Sequence, residues 1–155
     1  EALYFDSSST VTDTEAKLYL TSPLDLTKKY ELWSYSATKD DLESGGDVSF
    51  LKFYGSDAFD SAYYTDLDLG ANIEDGNTVF RLWSPSASAV TLNIYDTADA
   101  TAPSSSTPMN RDDNGVFTST ANGNLHGKYY TFDVTNYGVT DADVPDPYAK
   151  SSNAN

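Results

Sequence analysis

FRLWSPSASAVTLNIYD, residues 80–96, holds the clearest two-residue period in the chain. Across residues 89–95, Val90, Leu92 and Ile94 alternate with Thr91, Asn93 and Tyr95, the pattern of a strand with one face in a core. Residues 78–84 repeat it, with Phe80 and Leu82 on one side and Val79, Arg81 and Trp83 on the other. Pro85-Ser86 separates the two strands, because proline lacks the N–H that a strand ladder needs.

Downstream, residues 96–107 are small, polar and proline-bearing, and read as a long loop. Asp113-Asn114-Gly115 is a hairpin signal, since Asn-Gly tolerates positive φ, and it joins Pro108-Met109 to a strand over 116–120. Asn122-Gly123 turns the chain into KYYTFDV, residues 128–134, where Tyr130, Phe132 and Val134 oppose Tyr129, Thr131 and Asp133. Asn136-Tyr137-Gly138 turns it again, into a last strand that starts at Val139 and ends at Pro145. Short strands punctuated at this spacing predict an all-β fold, an immunoglobulin-like β-sandwich over residues 77–150.

Upstream, residues 1–57 read as a smaller β-rich unit. Its strand candidates are residues 3–5, 17–20, 29–35 (KYELWSY) and 48–54 (VSFLKFY), the third apolar on both faces and so expected to be covered on both sides. Residues 38–46, TKDDLESGG, read as a loop or one helical turn capped by Thr38. Residues 58–76, acidic, aromatic and irregular, read as a linker, and residues 151–155 as an exit segment.

Composition supports strands and limits the partners. Among 155 residues there are 12 Tyr and 7 Phe, and no long 3.6-residue apolar period appears. Of the 24 acids 19 are Asp, a turn residue, so the formal net charge of −15 gathers in loops. That charge repels polyanions, which argues against nucleic acid and anionic membrane surfaces and leaves neutral ligands open. Cys is absent, so disulfides, zinc thiolates and a cysteine nucleophile are excluded. The chain starts without a basic region followed by an apolar run, so it reads as a mature or trimmed piece, or one that never carried a signal.

FRLWSPSASAVTLNIYD, then GVFTSTANGNLHGKYYTFDV, then VPDPYAK together resemble the family-48 carbohydrate-binding module that precedes the catalytic barrel in α-glucan debranching and branching enzymes, type I pullulanases in particular. AFDSAYYTDLDLGA, from Ala58, resembles the lead-in segment of the same enzymes, and SPLDLTKKYEL, from Ser22, the small β-domain before it. The likeness covers residues 58–155, about two-thirds of the chain. It implies a partner: a catalytic (β/α)₈ domain with an Asp nucleophile and a Glu acid, which needs about 200 residues or more of alternating strand and helix. That alternation and a YNWGYDP-like motif are missing here, so the expectation is a non-catalytic N-terminal part of a pullulanase-like enzyme, stopping where the barrel would begin.

The resemblance also implies α-glucans such as pullulan or starch as ligands. Glycogen-binding members use two Trp residues, one after the second strand and one near the last, but here those regions read DTADA and YGVTDADVP. The aromatic candidates for sugar stacking are therefore Trp83, Tyr95, Tyr137 and Trp33, with core or barrel packing as the competing role for Trp83 and core packing for Trp33. No catalytic residue is assigned, and His126 has no triad around it. Asp66, Asp68 and Gly70 fail the EF-hand pattern, while a looser calcium site at Asp141, Asp143 and Asp146 competes with a solvated acidic loop. No cofactor is expected. An independent glucan-binding module and an acidic adhesion domain are the alternative functions. The Ser, Thr, Asn and Asp richness suits an extracellular or cell-surface bacterial protein, with a cytoplasmic one as the alternative.

Overall fold

Phe132, with no exposed surface, lies at the centre of a core shared by two antiparallel sheets in the computed structural model. The structure describes residues 3–12, 14–36, 38 and 41–150. One sheet contains β5 (Gly70–Glu74), β6 (Asn77–Trp83), β10 (Val116–Ala121) and β9 (Asn110–Arg111), in that order. The other is ordered β12 (Val139–Val144), β11 (Tyr129–Asn136), β7 (Ala89–Tyr95) and β8 (Ser105–Pro108). Phe80 and Leu82 from the first sheet meet Val90, Leu92, Ile94, Phe132 and Val134 from the second, the inward sets that the alternation predicts. The fold is an all-β sandwich. The Asn114-Gly115 turn also forms where expected, with Gly115 at φ 79 and pressed against Pro85, so both its backbone and its missing side chain are needed.

Before the sandwich lie two small hairpins. β1 (Thr10–Val11) pairs with β2 (Ala16–Lys17), extended by a bridge from Phe5 to Leu20. β3 (Glu31–Tyr35) pairs with β4 (Leu42–Asp47).

Several sequence expectations change here. KYELWSY does form a strand, but all five residues of β3 are exposed, because among the described residues it pairs with β4 alone. In the stretch 38–46, read as a loop or helical turn, residues 42–46 belong to β4; residues 39 and 40 lie outside the described residues. Gly45 there lacks the Cβ that would collide with the Trp33 ring across the ladder, so the glycine admits the indole. VSFLKFY contains a helical turn, α1 (Leu51–Tyr54), in place of the expected strand. Helical spacing puts Phe53 and Tyr54 on Phe59, at ring distances of 5.6 and 5.2 Å, a contact that alternation would have split between two faces.

The stretch read as a linker contains α2 (Asp57–Tyr63), capped by Ser56, which accepts from the Phe59 N–H, and then β5, an edge strand of the sandwich. The expected loop at 96–107 likewise gives its last residues to β8. The exit segment 151–155 lies outside the described residues.

Burial predicts an energetic contrast. Phe132→Ala is expected to cost about 3–5 kcal/mol in urea unfolding, and Trp33→Ala, in the exposed hairpin, to stay within about 0.5 kcal/mol of the parent.

Candidate functional site

The four aromatic candidates occupy four separate places. Trp83 projects from β6 on the outer face of its sheet, where helix α2 covers it: its Nε1–H donates to the Tyr63 carbonyl at 2.9 Å and its ring meets Phe59 edge-on at 6.1 Å. Half-buried, it lies outside the sandwich core, with one side open to a cavity of about 330 Å³ lined also by Tyr63, Tyr64 and Tyr148. Tyr95 lies on the outer face of the opposite sheet. Its hydroxyl donates to Asp143 Oδ1 at 2.7 Å, and its direct cross-strand neighbour is Tyr129, 40% exposed. Thr131 and Asp143 join by a 3.1 Å hydrogen bond from Thr131 Oγ1, so this face presents two tyrosines beside fixed polar groups.

Tyr137 sits at φ 51 in the β11–β12 turn, with Lys29 Nζ 5.8 Å from its ring centroid. It borders a second cavity of about 240 Å³ together with Tyr30, Phe50 and Tyr54, at the seam between the N-terminal hairpins and the sandwich. Burial, then a hydrogen bond with Tyr137, pushes the Tyr54 phenol up to about 12. Trp33 lies in the β3–β4 hairpin, where its Nε1–H donates to Glu31 at 2.9 Å. The structure thus brings none of the four together, and it places Tyr129, which is not among them, beside Tyr95. The parity of Tyr129 was legible, but which strand lies beside Tyr95 was not.

DPYAK, residues 146–150, forms a strap across the edge strand β5. Asp146 is buried and accepts from the Tyr130 hydroxyl at 2.6 Å and the Tyr148 N–H at 2.8 Å. Burial, then that donation to Asp146, pushes the Tyr130 phenol well above the ordinary tyrosine range. Lys150 Nζ donates to Asn72 Oδ1 at 2.8 Å, and a Cβ on Gly70 would lie 2.9 Å from the Tyr148 carbonyl oxygen. Asp146 is therefore committed to the strap and Asp143 to the Tyr95 face, and among the described residues no group of three or more His, Asp or Glu is placed to hold a metal ion. No helix of the described residues is long and apolar enough to cross a membrane.

The family model of carbohydrate-binding module 48, the isoamylase N-terminal domain, matches residues 68–149, taking in β5 and most of the strap. The chain belongs to this family. It is 30% identical over 120 residues to a pullulanase of Bacillus subtilis, an alignment covering 77% of this chain and 15% of the relative. A mutant pullulanase from Paenibacillus barengoltzii, crystallised with maltotriose, superimposes at a TM-score of 0.56 and 36% identity, over 66% of this chain and 15% of that one. Pullulanase from Bacillus acidopullulyticus matches at a TM-score of 0.61 and 25% identity, over 80% of this chain and 14% of that one. The chain thus spans about one-seventh of these pullulanases' length, and what it represents is a non-catalytic module. Family membership displaces the adhesion-domain alternative.

Two outcomes test the strap and the buried phenols. Gly70→Ala combines a side chain at φ 85 with the collision against Tyr148, and is expected to destabilise by about 1–3 kcal/mol in thermal or urea unfolding. The phenols of Tyr54 and Tyr130 both lie above the unfolded value of 10.0, so the native state keeps protons that the unfolded chain loses. Their contribution is whole below pH 10 and is lost as pH rises, through about 12 for Tyr54, so unfolding midpoints should fall above pH 10. Tyr130→Phe should flatten that fall.

Proposed function

We propose that this chain is the N-terminal, non-catalytic part of a pullulanase-like debranching enzyme. In this reading the sandwich docks on a catalytic (β/α)₈ domain of the same protein, which hydrolyses α-1,6-glucosidic bonds, and also contacts the α-glucan. The observation that carries it is the family match over residues 68–149 within a chain that aligns with about one-seventh of the Bacillus pullulanases it resembles. The aligned pullulanases are bacterial, which suits an extracellular or cell-surface enzyme.

Glucan contact rests on the Tyr95–Tyr129 pair. Adjacent on β7 and β11 and both outward, these rings offer apolar faces for the C–H side of pyranose rings, while Thr131 and Asp143 offer hydrogen-bond partners to the hydroxyls. Tyr95 and Asp143 are held by their mutual hydrogen bond, so little freedom is lost when a sugar arrives.

Native electrophoresis through gels with and without pullulan tests this second contact, beside a non-binding protein of similar charge. The chain is expected to be retarded by pullulan, and Tyr129→Ala or Tyr95→Ala to lose much of the retardation. Unchanged mobility of the parent chain at high pullulan would remove glucan binding and leave docking as the module's task.

A further inference from the structure

A second sugar site, on the other sheet, follows from the cavity beside Trp83. This inference rests on the reading of the module as an α-glucan binder. The cavity, of about 330 Å³, has aromatic walls from three separated stretches: Tyr63 and Tyr64 at the end of α2, Trp83 on β6, and Tyr148 in the DPYAK strap. Two polar side chains, Asp60 and Thr65, complete the lining together with apolar Phe59 and Leu69. The walls have fixed supports. Trp83 is anchored through its N–H to the Tyr63 carbonyl, and Tyr148 through its N–H to Asp146, while Tyr64 is left 72% exposed at the mouth.

The chemistry of the lining selects the ligand class. No Lys, Arg or His lines the cavity, so an anion finds no countercharge there, and the chain's net charge of −15 disfavours it further. A cation would meet a single carboxylate. A neutral ring with one weakly apolar face and hydroxyls at its edge meets both features present: aromatic surfaces, and the polar side chains of Asp60 and Thr65. The volume lies at the lower end of small-ligand pockets, about 300–1,000 Å³, which fits one or two hexose units rather than a long chain.

We propose that this cavity binds a glucosyl unit of an α-glucan chain, as a site separate from the Tyr95–Tyr129 face. β6 and β7 belong to different sheets, and Trp83 and Tyr95 each project from the outer side of their own, so the two sites lie on opposite faces of the sandwich. Two sites on one rigid body raise the effective concentration of a branched or folded glucan at the second once the first is filled.

The test is maltotriose titration of the whole chain followed by ¹⁵N NMR, with cellotriose as the β-linked control. The Trp83 indole N–H and the backbone amides of Tyr64 and Tyr148 are expected to shift saturably with maltotriose, in the parent chain and in Tyr95→Ala alike. Tyr64→Ala, at an exposed position that the fold does not need, should weaken that response by about tenfold. The proposal is overturned if the Trp83 signal stays still while Tyr95 and Tyr129 respond, an outcome that leaves the functional reading intact. It is also overturned if the Trp83 response disappears in Tyr95→Ala but survives Tyr64→Ala, or if cellotriose acts equally well. Silence at both faces would overturn this site and the glucan-binding reading together.

Discussion

The contact between Phe80 and Tyr130, 4.9 Å between ring centroids, ties the two sheets to each other and to the strap. Phe80 comes from β6, Tyr130 from β11, and Tyr130 also meets Phe132, the most deeply enclosed aromatic of the second sheet. The ring thus belongs to the core while its hydroxyl reaches Asp146 at the end of the module. A phenylalanine in its place would fill the same apolar space and leave a buried carboxylate short of a partner, a loss worth about 1–3 kcal/mol. One side chain therefore couples inter-sheet packing to the position of DPYAK.

That coupling propagates to the outer face of the β5–β6–β10–β9 sheet. The strap can lie flat on β5 only because Gly70 has no side chain beneath the Tyr148 carbonyl. Trp83 emerges on the same face, covered from the other direction by α2 through Phe59 and the Tyr63 carbonyl. Arg81, between them, is fixed by a two-pronged ion pair to Glu74, which holds the Glu74 carboxyl below its ordinary range through hydrogen bonding. Elements separated by more than 80 residues in sequence thus form one wall. The depression beside Trp83 is a consequence of how they meet.

Legibility in the sequence followed the period of each segment. The strands over 77–83, 89–95 and 129–136 were readable because each has one face in the core, so apolar residues recur every second position. α1 and α2 were not, since each is two turns or less and its aromatic residues serve one local cluster around Phe59. β4 was hidden because Gly45 and Gly46 lie in a polar stretch that read as a loop or helical turn, whereas Gly45 leaves space for the Trp33 ring. The candidate surfaces were legible only as single residues. Tyr95 and Tyr129 become a pair through the β7–β11 register, and Trp83, Tyr64 and Tyr148 become a cavity through tertiary packing.

The acidity of the chain bears on these surfaces differently from its aromatic content. Carboxylates repel anions at long range, but to a neutral sugar they are simply strong hydrogen-bond acceptors, so a charge of −15 costs such a ligand nothing on approach. Several acids near the aromatic groups already have structural partners: Asp143 holds Tyr95, Asp146 holds Tyr130 and Tyr148, and Glu74 holds Arg81. Their role is to fix rings and strands in place. The same acidity that repels polyanions therefore helps to preorganise an aromatic surface, and preorganisation is what a shallow site needs when each sugar contact is weak.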